Sequence, residues 1–591
     1  MNKLQFPLFF SMLVSLLLVA CSNIQESVQE AKSPEKAHPL LIESEQARPE
    51  ILRQPVVAPE NISNRERFRT NKSVVAETYD RAEAPSMHSQ GMLHKRHDNY
   101  TRIPQTYAEP NRDKYGLIKD NVLKAVASDP ISTFGIDVDG GAYANVRRYL
   151  NEGRLPVRDA VRIEELVNYF DYDYPVPDDR ETPFSVSYEI APTPWNRKTH
   201  LLHIGLKGYE AKGEMPASNL VFLLDVSGSM RSADKLPLLK SALKLLVNQL
   251  RKEDRVSIVV YAGASGVVLE PTPGDQKSRI LSALDQLEAG GSTHGSAGIQ
   301  LAYQLAEQHF IKDGINRILL GTDGDFNVGT VNFQQLMQLV EEKRKNGVSL
   351  STLAFGRGNL NEQLGEQLSN RGNGTYNYID SMKEAHKVLV REMSSSLLTI
   401  AKDVKIQIEF NPQAVSEYRL IGYVNRALRD DQFDNDAVDA GEIGAGHSVT
   451  ALYEVALLGS DGSRMPKLRY QKNEQDQRVA NELAFIKLRY KKPAESKSDL
   501  VSVVVNRGDI VQDEHKASGN FQFAASVAAF AQKLRGGEYL NGFSFDNILS
   551  LARDAHFKDQ HGDKGEYLKL VSLAQALAGE SAGTRELSSR E

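Results

Sequence analysis

A chain of 591 residues is long enough for about four domains at roughly 150 residues each, or for fewer domains joined by long linkers. Hydrophobic residues at 41% and charged residues at 25% are close to globular averages, which excludes a collagen-like or wholly disordered chain. Lys+Arg 71 against Asp+Glu 77 leaves a net charge of −6, without the basic footprint of a nucleic-acid binder, and a single cysteine excludes intrachain disulfides and Cys-rich metal sites.

At the N-terminus, Lys3 precedes an apolar run from Leu8 to Ala20 that stops at Cys21. The run is shorter than the ~20 residues of a spanning helix, so residues 1–20 are expected to be a signal peptide. Leu18-Val19-Ala20-Cys21 resembles a bacterial lipobox. That resemblance implies cleavage before Cys21 and acylation of its thiol and new amino group, tethering the chain to a membrane without spanning it; stable anchoring takes more than one acyl chain. Loss of Lys3 would leave the mature chain more negative still, so a polybasic contact with anionic lipid is not the main hold. By resemblance to Gram-negative lipoproteins, Ser22 implies the periplasmic face of the outer membrane. Residues 21–113 are rich in Glu, Arg, Pro, Ser and Asn with no sustained period, and read as a disordered tether whose coil would span roughly 50 Å.

Order is expected near Tyr115, within an N-terminal accessory region at 114–216. Ser132 to Asp139 reads as a strand, and Ala142 to Leu150 and Arg158 to Phe170 carry apolar residues at helical spacing. Asp137 and Asp139 before Gly140 hint at a calcium loop. Gly141 at the fifth position and the lack of Glu at the twelfth make a turn the better reading. Trp195, the only tryptophan, reads as a packing residue where the next domain is entered.

From 217 to 400 the pattern alternates. Val221–Leu224, Val256–Tyr261, Ile318–Leu320 and Leu350–Phe355 are short, continuous apolar runs, as for strands covered on both faces. Lys235–Leu250, Ser278–Leu287, Ser296–Phe310, Phe333–Lys345 and Met382–Leu398 have helical spacing. The alternation predicts an α/β fold, a doubly wound and mostly parallel sheet with helices on both sides. Residues 401–482 read as β-rich: Val404–Phe410 and Val449–Leu457 alternate, as does Leu483–Tyr490 just beyond. Residues 483–591 read as a C-terminal accessory region with helices at Phe521–Leu534 and Tyr567–Leu577.

The chemistry gathers in the α/β region. Asp225-Val-Ser227-Gly-Ser229 ends its first strand, Gly290-Gly-Ser-Thr293 precedes a helix, and Thr322-Asp323-Gly324 follows a later strand. Ligand sites in open α/β sheets lie beyond the carboxyl ends of strands, so two carboxylates, Asp225 and Asp323, and three hydroxyls, Ser227, Ser229 and Thr293, can converge there. All five are hard oxygen donors. They suit Mg²⁺, Mn²⁺ or Ca²⁺, with Mg²⁺ first, and argue against zinc or copper. Two carboxylates balance a divalent charge, and the neutral hydroxyls leave the ion electrophilic toward a carboxylate from another molecule.

These three ordered parts resemble the metal-ion-dependent adhesion site of the von Willebrand factor type A (VWA) family. The resemblance implies that Asp225, Ser227, Ser229, Thr293 and Asp323 hold a divalent cation. More broadly, Ser132–Asp139, Thr322-Asp-Gly-Asp-Phe-Asn-Val-Gly329 and the tail from about Leu483 resemble the YfbK-like group of bacterial VWA proteins. His294 could reach the ligand position, Asp325 could accept a hydrogen bond behind it, and the acidic loop of Asp434, Asp436, Asp439 and Glu442 could hold calcium, but a solvent-facing loop histidine, a turn residue and a solvated charge run are the better readings.

The first functional reading is a binding protein, not an enzyme: a lipid-anchored cell-envelope protein whose cation accepts an acidic side chain from a protein partner, with no nucleic acid involved. A metal-assisted hydrolase would need a general base, for which His294 is the local candidate. His294-Gly-Ser296-Ala-Gly298 is not a serine-hydrolase elbow, and no Walker loop is present. A structural envelope lipoprotein is the third reading.

Overall fold

The computed structural model describes residues 112–177, 181–211, 213, 215–291, 295–324, 333–465 and 481–579. Cys21, Thr293, His294 and Asp325 lie outside the described residues, as do the signal peptide and nearly all of the tether.

The chain enters through β1 (Lys124–Ala125), β2 (Ile131–Gly135), α1 (Gly141–Asn151), α2 (Ile163–Asn168) and the hairpin β3 (Phe184–Thr193) and β4 (Asn196–Gly208). The α/β part follows as β5 (Ser218–Asp225), α3 (Leu236–Gln249), β6 (Arg255–Tyr261), β7 (Ser265–Pro273), α4 (Lys277–Asp285), α5 (Gly295–Gln308), β8 (Ile315–Thr322), α6 (Phe333–Lys345), β9 (Ser349–Phe355), α7 (Glu362–Arg371) and β10 (Tyr376–Ile379). The helix expected over Met382–Leu398 is broken. α8 (Met382–His386) passes into a π turn at Lys387–Arg391 and resumes as α9 (Met393–Leu397).

The α/β fold expected from the alternation is present. Its sheet has the order β10-β9-β8-β5-β6-β7, parallel except for the antiparallel edge strand β7. Every residue of β5 is buried because both faces are covered. Leu220, Phe222 and Leu224 pack toward the α3 stripe of Leu236, Leu239, Leu243 and Leu246, whereas Val221 and Leu223 pack toward Ile299, Ala302 and Tyr303 of α5. Period-2 alternation on the strand thus meets period-3.6 stripes on two helices, and each buried Leu or Phe contributes about 1.5–3 kcal/mol. From β5 the chain builds outward through β6 and β7, then returns to β8 on the other side of β5, so the switch in strand order falls between β5 and β8.

The flanks do not form two bodies in sequence order. After α9 come β11 (Thr399–Phe410), β12 (Val415–Ile421), β13 (Ala427–Leu428), β14 (Gly441–Gly444), β15 (Ser448–Leu457), β16 (Glu482–Lys491) and β17 (Ser498–Asn506). They interleave with the early strands in two sheets, β1-β12-β15-β4-β3 and β13-β2-β11-β16-β17, with β14 against β11. β2 pairs antiparallel with β11 in the register Phe134↔Ile406, and β4 with β15 in the register Ile204↔Ala451. Facing residues such as Phe134 and Tyr453, ring centroids 6.3 Å apart, and Phe184 and Tyr490, 5.0 Å apart, close the sandwich core. The α/β part is therefore an insertion between strands of one sandwich.

The last elements are α10 (Gly519–Leu534), α11 (Phe545–Asp554) and α12 (Asp563–Leu577). Nearly all of α10 is buried, from Phe521 to Gln532, against α2, α11 and α12. Trp195 belongs to this helical core, 5% exposed at the β3–β4 turn and near Phe543, rather than to the entrance of the α/β part.

Candidate metal centre

At the carboxyl end of β5, the Ser227 amide donates to Asp225 Oδ1 at 2.8 Å, which folds the Asp-x-Ser-x-Ser segment back over the strand end. Ser227 Oγ and Ser229 Oγ lie 3.0 Å apart. Asp225 and Ser227 are buried, whereas Ser229 is exposed, so the hydroxyls lead from the strand end to the surface. Two backbone bonds, Gly228 N to Gly291 O at 3.0 Å and Gly290 N to Val226 O at 2.8 Å, stitch this loop to the segment that leads to Thr293.

Asp323 follows the neighbouring strand β8, across the switch point, and is fully buried. Gly324 turns the chain at φ 96°, and a Cβ there would lie 2.2 Å from the Asn361 amide, so glycine is required. Asp323 Oδ2 accepts from Lys235 Nζ at 2.8 Å and from Asn359 Nδ2 at 3.0 Å, and Lys235 also donates to Asn359 Oδ1 at 2.8 Å. The Lys235 stem crosses Gly356, whose left-handed φ of 73° and bare Cα leave it room.

The electrostatics single out Asp225. Burial pushes its carboxyl up to about 6; hydrogen bonding with Ser227 tempers the shift, Asp323 adds to it, and the Tyr261 hydroxyl opposes it. Its second oxygen, Oδ2, is buried with no hydrogen bond of good geometry among the described residues. A buried, orphaned carboxylate oxygen beside two hydroxyls and a second carboxylate fits a hard divalent cation, which would supply the missing positive charge. The structure therefore gathers Asp225, Ser227, Ser229 and Asp323 at one end of the sheet.

Lys235, Asn359 and Tyr261 belong to this site and carry no motif. Tyr261 had one readable signal: it ends the apolar run of β6, at the strand end where ligand groups are expected, and the structure sets it in register with Asp225. Lys235 and Asn359 had none, because a lysine before Leu-Pro and an asparagine in a glycine-rich loop are ordinary.

The other acidic segments resolve differently. Asp137 and Asp139 form the expected turn, with the Asp139 amide on Asp137 Oδ1 at 3.0 Å, but both are buried and paired with Arg426 at 3.1 and 3.5 Å. In the acidic loop Asp434 is exposed, as read from sequence. Asp439 is exposed too and pairs with Arg344 at 2.6 Å, and its carboxylate, that of Asp403 and that of Glu442 all lie within 4.8 Å of one another. Burial beside Asp439 and Asp403 pushes Glu442 up to about 8.

Comparison with known proteins follows the same division. Residues 220–325 match the von Willebrand factor type A domain model, 109–203 a von Willebrand factor model, and 395–577 the model described as uncharacterized protein YfbK, C-terminal. The chain is 47% identical over 482 residues to the Escherichia coli uncharacterized protein YfbK, covering 80% of this chain and 82% of that one. It is 26% identical over 318 residues to the Synechocystis uncharacterized protein sll0103, covering 53% of this chain and 71% of that one. Among solved structures, a von Willebrand factor type A protein from Catenulispora acidiphila aligns over 66% of this chain and 89% of its own, at 13% identity and a TM-score of 0.38.

Proposed function

The chain belongs to the YfbK family and carries a von Willebrand factor type A domain, and from that premise we propose that it binds a divalent cation at the carboxyl end of β5 and uses it to take hold of an acidic side chain on a protein partner. The observation that carries this reading is the buried, orphaned Oδ2 of Asp225, set beside Ser227, Ser229 and Asp323 at the switch point of the sheet.

Asp225, Ser227, Ser229 and Asp323 would hold the ion, with Thr293 added by resemblance to the family's motif. The ion, once bound, supplies an electrophile for a carboxylate. The chain's own residues do the rest. Ser227 N fixes the Asp225 rotamer, Asn359 fixes Asp323, and the exposed Ser229 leaves the rim open to an incoming group. We assign binding rather than turnover to this arrangement, whose groups position and neutralise charge. Cys21, through the lipobox resemblance, would tether the protein at the periplasmic face of the outer membrane, and the long polar stretch after it would let the folded part reach a partner.

Calorimetric titration with Mg²⁺ or Mn²⁺ tests the site. The full chain should take up one ion, and Asp225→Ala should show no binding heat while keeping its thermal transition. At a hundredfold excess over Kd the ion should stabilise the native protein by about 2.7 kcal/mol, and that increment should vanish in Asp225→Ala. Equal binding by the two proteins would refute the assignment.

A further inference from the structure

Lys235 reaches into the proposed metal site from the residue before α3, and its surroundings are built for it. Its ammonium lies 2.8 Å from Asp323 Oδ2 and 2.8 Å from Asn359 Oδ1, while Asn359 Nδ2 lies 3.0 Å from the same Asp323 oxygen. These contacts close a triangle in which Lys235 is 7% exposed and Asp323 is fully buried. A Cβ on Gly356 would stand 2.3 Å from Lys235 Cγ, so any other residue there would displace the stem.

The loop that supplies Asn359 is itself pinned. Asp113 Oδ1 accepts from the amides of Gly358 and Leu360, both at 3.0 Å, and Lys114 exchanges backbone bonds with Leu360 and Glu362. The ammonium is thus held in place by two glycine-shaped or hydrogen-bonded walls, not by chance proximity.

We propose that Lys235 is a resident cation of the site that lowers its affinity for a divalent ion by holding Asp323. Among the described residues, two carboxylates and one ammonium give the bowl a net charge of −1 when both acids are ionised, and a divalent ion turns that to +1. The ion is repelled by the ammonium and competes with it for Asp323. It also keeps an excess positive charge that only a carboxylate from outside completes. The same ammonium lets Asp323 remain buried when no ion is bound, a situation that otherwise leaves an uncompensated charge. This inference rests on the metal-site reading above and specifies how that site is regulated.

The test is titration of Mn²⁺ and of Mg²⁺ into the full chain and into its Lys235→Met, Lys235→Gln and Asp225→Ala variants, with thermal melting alongside. Glutamine keeps a donor for Asp323 without the charge, so it decides the matter where methionine fails to fold. Both Lys235 variants should bind the ion at least tenfold more tightly than the parent and gain a larger metal-induced rise in Tm. A Kd within threefold of the parent, or a weaker one, would overturn the proposal. So would loss of folding in both variants without rescue by Mn²⁺, which would make Lys235 a structural counter-ion alone. Absence of binding in every protein, or undiminished binding in Asp225→Ala, would instead bring down the metal site itself.

Discussion

The carboxyl end of the α/β sheet buries Asp225 and Asp323, the junction between α2 and α7 buries a larger group of carboxylates, and the two places answer the resulting charge differently. At the junction, Arg162 meets Glu165, Glu362 and Glu366, while Arg426 meets Asp137 and Asp139. Unbonded oxygens occur there as well, but Glu165 Oε1 lies 3.3 Å from Arg162, Asp139 Oδ2 3.5 Å from Arg426, and Glu362 Oε2 belongs to a carboxylate whose other oxygen is paired with Arg162. At the sheet end, Asp225 Oδ2 has no hydrogen bond of good geometry and no ion pair among the described residues, and the hydroxyls beside it lead to exposed Ser229. Buried acidity alone therefore does not mark a ligand site. On the reading proposed above, the distinguishing mark is an orphaned oxygen that no guanidinium faces and that has a path to solvent.

The largest effect should come from breaking the junction. Arg162→Met leaves three buried carboxylates without their cation and should cost about 3–5 kcal/mol in urea unfolding, far more than Asp225→Ala costs in metal-free protein. A loss below 1 kcal/mol would erase the distinction.

A buried base sharpens the comparison from the opposite sign. His203 packs beside Phe521, bonds the Tyr174 hydroxyl at 2.9 Å, and is pushed down to about 4 by burial. Its folded-state value lies below its unfolded one. The stabilisation is therefore fully present above about pH 6.5 and is lost as pH falls through 4, by up to about 3 kcal/mol. His203→Gln should flatten that acid limb in stability measured from pH 7 to pH 4, and an unchanged limb would show that the burial is not what sets it.

The smallest effect is the surface baseline. Asp434, paired with Arg489 but with its side chain 78% exposed, should change stability by less than about 0.5 kcal/mol on replacement by alanine, by the same urea unfolding. A larger loss would show that the acidic loop is held as firmly as the junction.

Much of this was readable in advance, and the reasons are local. β5, β6, β8 and β9 announce themselves as unbroken apolar runs because both faces are covered, and the Asp-x-Ser-x-Ser and Thr-Asp-Gly segments announce Asp225, Ser227, Ser229 and Asp323 at the strand ends, while Thr293 lies outside the described residues. β7 hides because Pro271 and Pro273 and scattered exposure blur its pattern, and β10 because it has only four residues. α7 hides behind Glu, Gln, Ser and Asn, with Glu362 and Glu366 buried against Arg162 rather than facing water. The sandwich is illegible for a different reason: no local signal tells Phe134 that its partner is Ile406. Lys235 is illegible for the same reason, since its partners, Asp323 and Asn359, stand on two distant loops.

The insertion of one fold between the strands of another fixes the order in which pairing partners become available as the chain emerges. β2 emerges long before β11, and at 5–20 residues per second the wait is roughly 15–50 s. During that interval its edge is open to wrong neighbours. The strands β5 to β10 have no such wait, because all their partners lie within one uninterrupted stretch. The inserted unit can close before its host, which must wait for β11 to β17.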